Sequence, residues 1–307
     1  MGVCSAELAP LTARDGENLA LYEWPFDACV DEMGADAASP RAMVLMIHGL
    51  GEHAGRYEHV ARQLMQWGFA VRAYDQRGHG ESGGARGALP TETALLDDLA
   101  EVVDDTRLRG IRLQHSTYAS MAPQKPLPLV LLGHSLGGLV AGRFVALKIR
   151  PVDALVMSSP ALDSGLGIFQ KLLLALGRTL APNLCVSNGL DARYISHDER
   201  VVKAYLADRL VHNRISPRLG HFIACGGPET VDAASSWVTP TLLMYAGDDR
   251  LVNPHGSTAF AANAAAPAVK PGTVTAHRFD GLYHELFNEA DAMPVFETLG
   301  RWLNTRF

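Results

Sequence analysis

Long apolar runs are missing from this chain of 307 residues: no stretch approaches the roughly 18 apolar residues of a membrane-spanning helix. An excess of positive charge is missing too. Lys and Arg number 27 against 33 Asp and Glu, a net charge of −6, without the basic footprint of a nucleic-acid binder. Met1 to Ala6 lacks the basic and apolar segments of a secretory leader. Ala6, where Ser or Thr is required, breaks the myristoylation pattern. Cysteine is scarce: Cys4, Cys29, Cys185 and Cys225 lie far apart with no CxxC pair, so free thiols and a cytoplasmic location are expected. No repeat and no low-complexity tail stands out. What is present is ordinary for a globular protein, 48% hydrophobic and 20% charged. At this length folding hides about three-quarters of the unfolded surface, enough for a core without disulfides or a structural metal.

Short apolar runs alternate with helical patterns. Ala42–Ile47, Ala70–Tyr74, Leu129–Leu132, Ala154–Met157, Thr241–Tyr245 and Val274–Phe279 are mostly too continuous for half-exposed strands and fit a buried parallel sheet. Thr91–Leu108 places Leu95, Leu96, Leu99, Val102, Val103 and Thr106 on one face at helical spacing; Leu136–Leu147 and Asp291–Trp302 are further helices. The fold class expected is α/β, a doubly wound, mostly parallel sheet. His115–Pro128, with three prolines, is expected to be a loop. Residues 161–238 contain no convincing strand but offer an apolar helix, Leu166–Leu180, and a polar stretch around Asp191–His212. The chain is therefore divided into a core of residues 1–160 and 239–307 and an inserted helical lid of residues 161–238.

The strongest chemical signal is Gly133-His134-Ser135-Leu136-Gly137, directly after an expected strand and before an expected helix. A serine on so sharp a turn is forced outward, and glycines two before and two after remove side chains that would clash. A serine hydroxyl needs a base, and the base an orienting carboxylate, in this fold in the order Ser, Asp or Glu, His. Asp248 and Asp249 follow the strand ending at Tyr245; His284 follows the strand ending at Phe279. Of the twelve histidines, His284 alone combines a late position, a strand end and a following helix. His277 lies inside a strand pattern and reads as a satisfied structural histidine, while His48, His79 and His134 sit in glycine-rich turns and read as loop stabilisers. The oxyanion needs two backbone N–H donors. Leu136, after the nucleophile, supplies one; Leu50, in His48-Gly49-Leu50-Gly51 after the first long strand, is the candidate for the other.

These motifs together resemble a known family. His48-Gly49-Leu50-Gly51-Glu52-His53 with Arg56 and Tyr57 is similar to the HGxGEHxxRY signature of monoacylglycerol lipases and related lysophospholipase-like serine hydrolases of the α/β-hydrolase fold. Asp75-Gln76-Arg77-Gly78-His79-Gly80-Glu81-Ser82 resembles the DxRGHGxS loop, Gly133–Gly138 the GHSLGG elbow, and Asp249-Arg250-Leu251-Val252 and Tyr283-His284-Glu285 the acid and histidine segments. The resemblance runs from about residue 15 to the C-terminus. It implies Ser135 as nucleophile, Asp249 as acid, His284 as base, Leu50 and Leu136 as oxyanion donors, and Glu52 and Arg56 as parts of a polar pocket for the glycerol end. Ala246, three residues before Asp249, stands where the family often has Gly, so Asp248 stays an alternative. Phe287 stands where the mammalian lipase has a second histidine near the glycerol.

The lid bears on the substrate. Leu166–Phe169 and Leu172–Leu176 are apolar nearly all round, so Ile168, Phe169, Leu172 and Leu173 are expected to line an acyl tunnel, and the lid to touch a membrane or micelle peripherally. The other reading packs the helix wholly on its own domain or on a second copy. The function expected is hydrolysis of monoacylglycerols to fatty acid and glycerol through an acyl-enzyme. It calls for no metal and no organic cofactor, and the partner is a small lipid ester rather than nucleic acid. The alternatives are a lysophospholipase or broad carboxylesterase and, more remotely, a non-catalytic ligand-binding protein of this fold.

Overall fold

The computed structural model describes residues 5–26, 39–117 and 125–307. Its strands in chain order are β1 (Glu7–Leu8), β2 (Leu11–Thr12), β3 (Asn18–Leu19), β4 (Leu21–Glu23), β5 (Met43–Ile47), β6 (Ala70–Tyr74), β7 (Leu129–His134), β8 (Ala154–Ser158), β9 (Val186–Ser187), β10 (Arg214–Ile215), β11 (Thr241–Ala246) and β12 (Val274–Phe279). Its helices are α1 (Glu58–Gln66), α2 (Ala94–Thr117), α3 (Leu136–Ala146), α4 (Ile168–Leu180), α5 (Glu199–Ala207), α6 (Pro217–Ala233), α7 (His255–Asn263) and α8 (Met293–Asn304).

Eight strands form one sheet in the order β1-β4-β6-β5-β7-β8-β11-β12. The pairings β1 with β4 and β4 with β6 are antiparallel, and all the others in this sheet are parallel. Every residue of β5, β6, β7, β8 and β11 is buried, because apolar layers cover both faces, which is why these strands read as unbroken apolar runs. One layer joins α1 and α8 through Val60, Leu64, Leu299 and Trp302; the other joins α2, α3 and α7 through Leu99, Val103, Phe144 and Phe260. β12 departs from the expectation of a buried strand: it ends the sheet, and its residues from Thr275 to Arg278 are exposed. His277 is thus a surface residue beside Phe279, not a satisfied core histidine.

Winding runs from β5 to β6 on one side and returns to β7 on the other, so the loops after β5 and β7 part at a switch point, where α/β sheets open a crevice. α2 continues nine residues past the expected end at Leu108, reaching Thr117. The expected loop from His115 therefore begins inside a helix, and its residues 118–124 lie outside the described residues. The insertion between β8 and β11 is not purely helical, as expected, but carries an antiparallel ribbon of β9 and β10 that pairs Val186 with Ile215 and Ser187 with Arg214. Two-residue strands are too short to show a period in sequence. Cys185 and Cys225 are free thiols; Cys4 and Cys29 lie outside the described residues.

Candidate active site

Between the end of β7 and the start of α3, Ser135 has φ 53° and ψ −117°, a region that costs a non-glycine residue about 1–3 kcal/mol and persists only where the surroundings impose it. They do. Its N–H donates to the Ser158 carbonyl at 3.0 Å, and its carbonyl accepts from Leu139 N and Ala161 N, each at 3.0 Å. A Cβ at Gly133 would stand 2.3 Å from the Gly137 carbonyl oxygen, and one at Gly137 would stand 2.1 Å from that of Ile47. The turn closes only because both are glycine.

His284 comes from the irregular backbone after β12, and Asp249 from the loop after β11. His284 Nε2 lies 2.8 Å from Ser135 Oγ, and His284 Nδ1 lies 2.6 Å from Asp249 Oδ2. An ionised carboxylate only accepts, so the imidazole carries its proton on Nδ1 and presents Nε2 as an acceptor to the serine hydroxyl. Asp249 Oδ1 accepts from Leu251 N and Val252 N, each at 2.9 Å, which fixes the carboxylate. Asp248 is exposed, and its backbone N–H donates to the Leu282 carbonyl. Of the two adjacent acids, the structure brings Asp249 to the histidine.

Burial presses the His284 imidazole toward its neutral form, but the Asp249 carboxylate outweighs it and the net direction is up. Burial likewise raises Asp249, yet the adjacent His284 and the two backbone donors hold it below its ordinary value. The ring of His134 is 4.7 Å from that of His284. Burial, aided by His284, pushes His134 down to about 3, so it stays neutral and adds no charge beside His284. His48 behaves as the expected loop stabiliser: its Nδ1 donates to the Gly49 carbonyl at 2.7 Å and its Nε2 accepts from Gln76 N at 2.8 Å. The loop it holds presses on the serine, where a Cβ on Gly49 would stand 3.1 Å from Ser135 Cβ. Leu50 follows in that loop at the cavity wall. Among the described residues, neither the Leu50 nor the Leu136 N–H has a hydrogen-bond acceptor, so both amides are free to serve an oxyanion.

Ser135 and His284 open into a cavity of about 840 Å³, whose wall includes Glu52 and Glu285 and, from the insertion, Leu190, Ile195 and Leu206 among polar residues such as Asp191, Arg193 and Asn213. Arg56 stands behind this wall rather than in it. Its Nη1 donates to Glu52 Oε2 at 2.5 Å, and both its Nη groups reach Glu285, at 2.6 and 2.7 Å. Glu52 also accepts from Tyr57 Oη at 2.7 Å. Burial would raise Glu52, but Arg56 prevails and holds it below the usual carboxylate range. Two buried carboxylates thus share one guanidinium, which itself lies over the Tyr205 ring.

Other expected site residues are placed elsewhere. Leu172 and Leu173 are 64% and 53% exposed and do not line the cavity, because α4 turns a different face to α6, where Leu174 meets Gly220. The side chains of Ile168 and Phe169 lie outside the described residues. Phe287 is 4% exposed and packs on Phe296 in the core, because the 3-10 turn Leu286–Asn288 directs it inward, away from the cavity. Glu285 is the site residue that sequence reasoning passed over; its signal was adjacency to His284 in Tyr283-His284-Glu285. Tyr205, Leu206 and Leu190 carried no sequence signal, because it takes the folded insertion to bring them over the serine.

A family model described as "Serine aminopeptidase, S33" matches residues 38–291. A monoacylglycerol lipase of Mycolicibacterium smegmatis is 35% identical over 270 residues, covering 86% of this chain and 88% of that protein. An abhydrolase domain-containing protein of Dictyostelium discoideum is 31% identical over 308 residues, 98% of this chain, but the chain spans only 29% of that relative's length. The crystal structure of a monoacylglycerol lipase from Paleococcus ferrophilus superimposes with a TM-score of 0.73 at 30% identity, covering 88% of this chain and 97% of that one. The chain therefore belongs to the serine aminopeptidase S33 family of α/β-hydrolases and is a carboxylic ester hydrolase of the monoacylglycerol lipase-like kind.

Proposed function

We propose that this enzyme hydrolyses monoacylglycerols to fatty acid and glycerol. The observation that carries the reading is the unbroken relay from Asp249 through His284 to Ser135 Oγ, at 2.6 and 2.8 Å, with Ser135 and His284 in the wall of a cavity that both acidic and apolar side chains line. Ser135 attacks the ester carbonyl while His284 Nε2 takes its proton. The N–H groups of Leu50 and Leu136 hold the oxyanion, His284 returns the proton to the departing glycerol oxygen, and water releases the fatty acid by the reverse steps. Glu52 and Glu285 offer acceptors to the glycerol hydroxyls; Arg56 holds both carboxylates in place and keeps Glu52 ionised. The names of the Mycolicibacterium and Paleococcus relatives support the substrate class. Leu172, Leu173, Leu176 and Leu180 are exposed on α4 and support peripheral contact of the lid, residues 161–238, with a membrane or micelle. Among the described residues no helix is long and apolar enough to cross a membrane, and the cytoplasmic location is part of the proposal.

A panel of monoacylglycerols, lysophospholipids, short p-nitrophenyl esters and an aminoacyl anilide tests this. Each buried methylene adds about 0.8 kcal/mol, roughly fourfold in kcat/KM, so turnover is expected to climb with acyl length and to be greatest on the glycerol esters. Best turnover on acetyl or butyryl esters would overturn the lipid assignment, and preference for the anilide would move the enzyme to peptide chemistry. The pH dependence has a definite sign. Protonation of His284 Nε2 removes the acceptor for the serine proton, so kcat/KM falls on the acid side. The raised imidazole places that limb's midpoint above the ordinary value of about 6.5. A midpoint below it would contradict the assigned pairing with Asp249.

A further inference from the structure

His284 lies on irregular backbone between β12 and a 3-10 turn, with no strand ladder to hold it. Its neighbours are held instead by a short stretch of the insertion, residues 194–197. Glu289, whose side chain is 1% exposed, makes the central connection. Its Oε1 accepts from Tyr283 N at 2.6 Å and from His197 Nδ1 at 2.9 Å. Its Oε2 accepts from His197 N at 3.0 Å and lies 3.4 Å from Ser196 Oγ. The His197 ring stacks on Tyr283, with 3.6 Å between centroids and 20° between planes. On the other side of His284, the Ile195 carbonyl accepts from Glu285 N at 2.8 Å. Arg250, next to Asp249, lies over the rings of Tyr194 and Tyr283 at 4.9 and 5.7 Å. The residue on each side of His284 is thus held from this stretch, directly or through Glu289. Neither Glu289 nor His197 lines the cavity.

We propose that Glu289 is a positioning residue of the reaction: its carboxylate fastens the turn that carries His284 to Ser196 and His197, so that the imidazole meets Ser135 only while this stretch is seated. The proposal rests on reading Ser135 and His284 as the reacting pair. A buried carboxylate is suited to this task because it offers two oxygens to donors converging from two segments. A glutamine has one oxygen and would leave Tyr283 N or His197 N facing an amide donor. Because a misplacement of about 1 Å can cost 10²-fold in rate, a loosened turn shows in kcat before it shows in binding.

The test compares Glu289→Gln, Glu289→Ala, His197→Ala and the Ala double variant, with active sites counted by titration with a fluorophosphonate. Per titrated site, kcat is expected to fall about 10-fold for Glu289→Gln and about 10²-fold for Glu289→Ala, with KM within about threefold. The rate of fluorophosphonate labelling should fall by the same factors. Adding His197→Ala to Glu289→Ala should cost less than about twofold more, since both cut one connection. A kcat per site unchanged in the isosteric Glu289→Gln, or losses that multiply in the double variant, would overturn the proposal even if Glu289→Ala does not fold. A wild-type enzyme inert to the probe would overturn the functional reading and this proposal with it. A reactive wild type and an equally reactive Glu289→Gln would overturn the positioning role alone.

Discussion

Ser135→Ala is expected to lower kcat on the best ester substrate by 10⁵- to 10⁶-fold, on the order seen when a serine nucleophile is removed. The substitution deletes one oxygen and leaves the rest of the site in place. Alanine keeps the Cβ, so the strained turn at φ 53° is neither relieved nor worsened. The Ser158, Leu139 and Ala161 backbone bonds do not involve the side chain. What disappears is the hydroxyl 2.8 Å from His284 Nε2. Residual catalysis then rests on the oxyanion donors and binding alone. Steady-state rates with an unchanged melting transition check this; a variant keeping a tenth of the activity would remove Ser135 from the mechanism.

The next largest effect separates two neighbouring acids. Asp249→Asn is expected to cost about 10⁴-fold in kcat, while Asp248→Asn stays within about threefold. The asymmetry follows from hydrogen-bond direction. Leu251 N and Val252 N both donate to Asp249 Oδ1, so an asparagine there keeps its oxygen toward them and turns its amide NH₂ toward His284. The imidazole must then accept at Nδ1, its proton moves to Nε2, and a donor faces the serine hydroxyl. Asp248 projects to the surface, where an amide is as well solvated as a carboxylate. Equal losses in the two variants would contradict the assignment.

The parts of this site legible in sequence are those where geometry restricts residue type. A serine wedged between β7 and α3 needs glycine at 133 and 137, since Cβ atoms there would meet carbonyl oxygens at 2.3 and 2.1 Å, and that demand leaves a motif. The buried strands were equally readable, because two covered faces leave no polar alternation. Adjacent acids were not separable: Asp248 and Asp249 both follow β11, and only the path of the loop decides which carboxylate meets the imidazole. Phe287 shows the same limit, three residues from His284 yet turned into the core by a 3-10 turn. The insertion was read least well. Its apolar helix, the natural candidate for an acyl wall, exposes Leu172 and Leu173, whereas the cavity is covered by residues scattered between 188 and 214. Such a surface is assembled by folding from short segments, each without periodicity of its own. Glu289 is similarly silent, because an acid that accepts from Tyr283 N looks in sequence like any other surface charge.

The central claim is that Ser135, at the junction of β7 and α3, is the nucleophile activated by His284. Its most direct measurement is labelling of the native enzyme with a fluorophosphonate, followed by mass spectrometry of the digested peptides. A single adduct on the peptide containing Ser135, formed at a rate that falls as His284 becomes protonated, is the expected result. An adduct on any other residue, or labelling that persists undiminished in Ser135→Ala, would contradict it.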